Sequence, residues 1–142
     1  MDQLANAFST LQNSQRRSQE KVTLKYSKML WSICHILYSE GFLKGFEITN
    51  SSGESNSQKF PKKFQSHHII LYLKYFDGKP LLQKIQKISL QGRRVYCEHK
   101  HLFEYNSASF RTFRILSTTR GILSEKDAHF FGLGGEVLCE IS

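Results

Sequence analysis

The chain has 142 residues, 39% of them hydrophobic, and 20 Lys and Arg against 12 Asp and Glu, for a formal charge of +8. This length allows one domain or two small packed ones, and eleven Phe provide for a real core, which excludes a disordered or fibrous chain. Residues 61–142 hold thirteen basic and seven acidic residues against seven and five in 1–60, and such a basic half points to nucleic acid or an anionic membrane.

Leu4, Phe8 and Leu11 recur on one helical face and predict an N-terminal helix that ends at Asn13-Ser14. Gln15 to Lys25 then reads as a polar, basic connection. Residues 1–19, with Arg16, Arg17 and a single acid, have a mitochondrial targeting composition, and they read equally well as folded helix. Ser27 is positioned to cap a second helix whose stripe is Leu30, Ile33, Cys34 and Leu37, with Gly41 as its left-handed close. Cys34 therefore belongs to a core, and Trp31 and Tyr38 to its margin. Phe46–Thr49 alternates as a short strand, and 50–58 contains no apolar residue and reads as a loop. His67–Phe76 is a longer strand with Ile69, Leu71, Leu73 and Tyr75 on one face, and Asp77-Gly78-Lys79-Pro80 turns it.

The composition shifts at Pro80, which divides the chain into 1–79 and 80–142. Residues 81–89 extend as a strand, Gln91-Gly92 turns, and Arg93-Arg94-Val95-Tyr96 is a basic strand carrying an aromatic. Arg93, Arg94 and Tyr96 suit phosphate contact and stacking. The alternative is a core tyrosine beside two solvated arginines. Phe110–Leu116 alternates again and carries Arg111 and Arg114. The whole segment 84–120 has eight basic and two acidic residues.

The run Ile115-Leu116-Ser117-Thr118-Thr119-Arg120-Gly121-Ile122-Leu123 organises the rest. Ser117, Thr118 and Thr119 offer short hydroxyls, Arg120 a planar fork of donors, and Gly121 the freedom a tight loop needs. An isolated loop of this kind is most often an ordinary polar turn. Downstream, Ser124-Glu125-Lys126-Asp127 reads as a capping box on a short helix that Gly132 closes. A glycine turn then leads into the strand Gly135-Glu136-Val137-Leu138-Cys139-Glu140-Ile141.

Together, the Ser117–Gly121 loop and the closing G-G-E-V-L-C resemble the C-terminal signature of the bacterial-type small-subunit ribosomal protein eight family. Three further stretches carry the same resemblance. They are Leu73–Lys79, similar to L-K-Y-x-x-G-K; Ser89–Tyr96, similar to S-x-x-G-x-R-x-Y; and the Tyr26-Ser27-Lys28 helix entry, whose Lys28 matches an RNA-approaching lysine. A solvated Lys28 is the alternative there. The chain departs from the family at Gln12-Asn13-Ser14, at Gln91, and in the missing glycines before Ile115.

The resemblance implies an α+β fold in two small packed halves. The first holds two helices with a short antiparallel sheet; the second is mostly strand with one short helix. It implies binding to the central domain of small-subunit ribosomal RNA, with neighbouring small-subunit proteins as partners and no cofactor. The RNA-binding set would be Lys28, Arg93, Arg94, Tyr96, Ser117, Thr118, Thr119, Arg120 and Gly121, with Glu136 holding the loop. The lost glycines, the polar 50–58 stretch and the abundant Phe favour a mitochondrial copy over a plastid or bacterial one.

Other chemistry finds little support. Cys97, His99 and His101 form C-x-H-x-H, but zinc asks for about four ligands and no fourth suggests itself. Gly132-Leu133-Gly134-Gly135 lacks the G-K-[ST] of a phosphate loop and precedes a strand. Three cysteines without C-x-x-C argue for a reducing compartment, and Cys139 reads as a buried, inert thiol. No apolar run approaches the ~18 residues of a spanning helix. The rivals are a free-standing RNA-binding regulator or chaperone, and an RNA-processing enzyme. Co-sedimentation with the subunit tests the first, and turnover of RNA the second.

Overall fold

The computed structural model describes residues 3–50, 67–90, 92–98 and 113–141, with Asn50 and Phe113 described by backbone alone. His99, His101, Arg111 and the polar stretch from residue 51 onward lie outside those residues. The chain forms two compact units, Met1–Leu81 and Leu82–Ser142.

In the first unit, α1 (Gln3–Arg16) buries Leu4, Ala7, Phe8 and Leu11. It runs two residues past Ser14, whose side chain is itself buried along with Gln15. Strand β1 (Lys21–Lys25) follows, where the sequence suggests only a connection. Its K-V-T-L-K pattern is short and mostly polar, yet Val22 and Leu24 are buried while their neighbours face water. Pairing of Val22 with Leu71 and Leu24 with Ile69 decides that outcome. Helix α2 (Lys28–Ser39) starts where Ser27 Oγ accepts from Leu30 N at 3.0 Å. It ends in a Schellman pattern: Gly41 N donates to Tyr38 O, Phe42 N donates to Leu37 O, and Gly41 sits at φ 86°. Trp31 is buried, and Tyr38 remains 52% exposed with its ring against Phe46.

Strands β2 (Leu43–Asn50) and β3 (His67–Leu73) complete an antiparallel sheet in the order β1-β3-β2. The strand predicted through Phe76 stops at Leu73. Tyr75 and Phe76 (β4) instead form a separate hairpin with Lys79 and Pro80 (β5). Asp77 at φ 50° and Gly78 at φ 74° make a two-residue turn with both central residues left-handed, the geometry Asp-Gly favours.

The second unit is built around its last strand, β10 (Gly135–Ile141). On one side β10 pairs along its length with β8 (Phe113–Thr118), which pairs in turn with β9 (Gly121–Ser124). On the other side it takes β7 (Tyr96–Cys97) at its start and β6 (Ile85–Lys87) at its end. β6 is shorter than the predicted strand 81–89, and β7 overlaps the predicted 93–96 only at Tyr96 and adds Cys97. A register shift between Val137 and Cys139 inserts Leu138 as a bulge, and all three side chains become buried. Burial pushes the Cys139 thiol up to about 12, so it is inert at neutral pH.

Helix α3 (Glu125–Phe130) is capped by Ser124, whose Oγ accepts from Asp127 N at 3.4 Å. Gly132, at φ 69°, ends it through Leu133 N donating to Ala128 O. Ala128 packs with Cys97, Leu116 and Val137 in a core bordered by Ile88, Val95 and Leu123. The fold is thus α+β, with helices concentrated in the first unit and strands in the second.

Arg114 and Glu125 form a buried ion pair in the second unit. Glu125 Oε1 lies 2.8 Å from Arg114 Nη2, with the two side chains 4% and 11% exposed, and Glu125 Oε2 also accepts from Arg114 N. Burial works against the Arg114 charge, and the hydrogen bonds and field of Glu125 outweigh it, so its pKa is raised. Glu125→Ala removes the carboxylate facing that buried guanidinium and should cost about 3–5 kcal/mol. Replacing both residues by leucine should cost much less, as read from urea unfolding of the two variants.

Candidate nucleic-acid interface

Cross-strand pairing sets the site. Tyr96, Glu136, Ser117 and Ile122 are successive partners across β7, β10, β8 and β9. Residues directly opposite in an antiparallel sheet share a face, so these four form one row. The next row, Val137, Leu116 and Leu123, faces the core described above. Tyr96, 71% exposed, marks the open end of the first row, which settles its side chain on the surface rather than in the core.

Glu136 is the electrostatic centre of the row, and its partners differ from expectation. Its Oε1 accepts from Ser89 Oγ at 2.6 Å and from Arg94 Nη1 at 3.1 Å. The carboxylate therefore holds the segment before β7, not the hydroxyls of the Ser117–Gly121 loop. The reason is register: Glu136 faces Ser117 along the backbone, but its side chain reaches across toward the β6–β7 side. Ser89 is fully buried, and its oxygen also accepts from Val95 N at 3.2 Å. Ser89 therefore ties the carboxylate to the chain just before Tyr96, a role its place in S-L-Q-G-R-R-V-Y did not advertise. Lys87 lies in the same field. Its ammonium is held below the usual lysine range, first by burial and then by Arg94, with Glu136 opposing.

The β8–β9 tip is built by Thr118. Its hydroxyl donates to Gly121 O at 2.8 Å and accepts from Arg120 N at 3.2 Å. Gly121 then takes φ 101°, a conformation that favours glycine. Of the three hydroxyls read as ligand contacts, Thr118 is thus committed to the loop itself. Thr119 and Arg120 are exposed, and Ser117 is half-buried in the row. The Arg120 guanidinium carbon stands 5.0 Å from the centroid of the Phe131 ring, just past the end of α3. Neither Phe131 nor its neighbour Phe130 stood out in the sequence, although two adjacent aromatics at a helix end were a usable signal.

The remaining predicted residues divide. Arg93 is exposed in the turn where its backbone exchanges hydrogen bonds with Leu90. Arg94 has 50% of its side chain exposed. Lys28 is the exposed first residue of α2, in the other unit, and is not part of this row. Arg114, counted among the basic residues of 84–120, is paired with Glu125 and withdrawn from the surface. Among the described residues no group of three or more His, Cys, Asp or Glu could hold a metal, and no helix is long and apolar enough to cross a membrane.

Two energies separate Ser89 from Arg94. A hydrogen bond to a charged group is worth about 1.5–3 kcal/mol when sheltered, whereas a partly exposed ion pair gives about 1 kcal/mol or less. Ser89→Ala should therefore lower stability toward urea more than Arg94→Ala, and the reverse order would displace Ser89 as the anchor. Gly135→Ala should be worse than either. A Cβ there would collide with the Ser117 carbonyl oxygen and lie 2.9 Å from its carbon, so β10 would have to move off β8. Faster amide exchange through 115–118 is the expected sign.

Comparison with known proteins adds a further observation to this geometry. The family model described as Ribosomal protein S8 matches residues 2–142. The small ribosomal subunit protein uS8 of Ehrlichia chaffeensis (strain Arkansas) is 35% identical over 141 residues, covering 99% of this chain and 96% of that protein. Proteins of the same name from Bradyrhizobium sp. (strain BTAi1) and Rhodopseudomonas palustris (strain BisB5) are 36% and 34% identical over 138 residues, covering 96% of this chain and 94% of each. With matches of this identity spanning both units, the chain belongs to the ribosomal protein S8 family.

Proposed function

We propose that this small-subunit ribosomal protein binds the central domain of small-subunit ribosomal RNA and supports its assembly, remaining as a structural part beside neighbouring small-subunit proteins. Its family is one of structural ribosomal proteins, not enzymes. The observation that carries the proposal is the open row Tyr96–Glu136–Ser117, which ends beside a hairpin tip presenting Thr119 and Arg120 to solvent.

The chemistry follows from that arrangement. A-form RNA is read chiefly through its shape, its 2′-hydroxyls and its phosphates, and single-stranded or irregular parts through stacking. Ser117 and Thr119 bring short hydroxyls that suit a sugar edge, and Thr118 keeps the tip in shape for them. Arg120 meets phosphate. Arg94 spends one donor on Glu136 and, with five in its fork, retains others for a second phosphate. Glu136 thus aims an arginine rather than supporting the loop. Tyr96 offers an exposed ring to a sugar or base, and Arg93 and Lys28 add positive charge from their own surfaces.

Binding of a central-domain transcript by filter retention tests this. Arg120→Ala should cost about 1–3 kcal/mol, and Arg93→Ala with Arg94→Ala should flatten the dependence of affinity on salt. Should Ser117→Ala, Thr119→Ala and Arg120→Ala all bind like the parent, the loop is not the recognition element. Co-sedimentation with the small subunit in high salt distinguishes a resident protein from a free regulator. A mitochondrial ribosome is the assignment we favour, on the polar 50–58 stretch and the lost glycines, although the relatives above are bacterial. Gradient fractions from purified mitochondria that lack the protein would remove that assignment.

A further inference from the structure

Phe130, the last residue of α3, is 82% exposed. Phe131 beside it is 45% exposed, its ring 5.3 Å away and turned by 81°. One phenylalanine left in water at a helix end is unremarkable, since much of any protein surface is apolar. This pair differs in its company. The guanidinium of Arg120 lies over Phe131, which brings the hairpin tip and the end of α3 together. Thr118 holds the backbone of Arg120, and the fully buried Ala128 anchors α3. Both sides of the contact are therefore fixed before any partner arrives.

A protein partner would be a poor match. A specific protein interface buries about 1,000 Å² or more. Here two rings are bordered along α3 by exposed Lys126, Asp127 and His129. An unpaired nucleotide matches better. Its base offers a flat π-face to the open Phe130 ring, and its phosphate suits the guanidinium parked alongside. Aromatic rings next to cations are the usual means of holding single-stranded nucleic acid.

We infer that Phe130 and Arg120 form a stacking site for one unpaired nucleotide, next to the groove-reading loop. The inference rests on the RNA-binding proposal and adds to it what the aromatic helix end recognises: a base outside the helical stack. Phe131 is a positioning residue that holds Arg120 in place.

The test uses the full chain and two RNA hairpins, one fully paired and one identical except for a single unpaired adenine, with a fluorescent adenine analogue in a parallel sample. The parent should prefer the bulged hairpin by about five- to a hundredfold, the range for stacking one base, and should quench the analogue. Phe130→Leu should abolish the preference and the quenching, and Phe130→Tyr should keep both. Circular dichroism controls for folding. Equal binding of both hairpins by the parent, or a preference that survives in Phe130→Leu, overturns the stacking site and leaves RNA binding standing. A parent that binds neither hairpin overturns both. If Phe130→Leu binds both hairpins like the parent but no longer co-sediments with the small subunit, the ring serves a protein neighbour and the inference is wrong.

Discussion

Strand β10 lies against β8 so closely at Gly135 that a side chain there would strike the carbonyl of Ser117. That contact sets the register of the second unit. With Gly135 seated, Glu136 falls between Tyr96 and Ser117, and Val137 falls beside Leu116 in the core. A slip of one residue would exchange the two faces, burying the carboxylate and exposing the valine. The bulge at Leu138 then lets three consecutive apolar residues be buried, which strict alternation would forbid.

Glu125 and Glu136 do different work because water reaches them differently. Glu125 is shut away with Arg114, so it stabilises the fold and removes one positive charge from the surface. Glu136 is 22% exposed and shares its oxygen between the buried Ser89 and the half-exposed Arg94. It orients a cation without cancelling its reach. The basic character of 84–120 is consequently not a uniform coat of charge. Among the described residues it is presented by Lys84, Arg93, Arg94 and Arg120, while Lys87 is half-buried and Arg114 is internal.

Local signals in the chain were read well where the cause was local. Ser27, Gly41, Ser124 and Gly132 act within one helical turn, and each does in the structure what its residue type suggests. Strand β1 was missed because its two apolar residues count only once β3 is beside them. The extent of β6 was overestimated, and β7 was placed too early, for a related reason. They are short because each pairs with only part of β10. The structural role of Thr118 was not legible, since its partners lie two and three residues away in a turn whose shape was unknown.

By itself the amino-acid sequence determined the fold class, the caps of α2 and α3, and the family. These follow from spacing, capping chemistry and motif order, which act over a few residues or are conveyed by resemblance across the whole chain. Only the tertiary structure decided which partner each charged group takes. The contacts Glu136 to Ser89, Arg114 to Glu125 and Arg120 to Phe131 bridge separations of eleven to forty-seven residues. Strand register and burial bring those groups together, and a side chain's charge or hydroxyl does not say along the chain which distant atom it will meet.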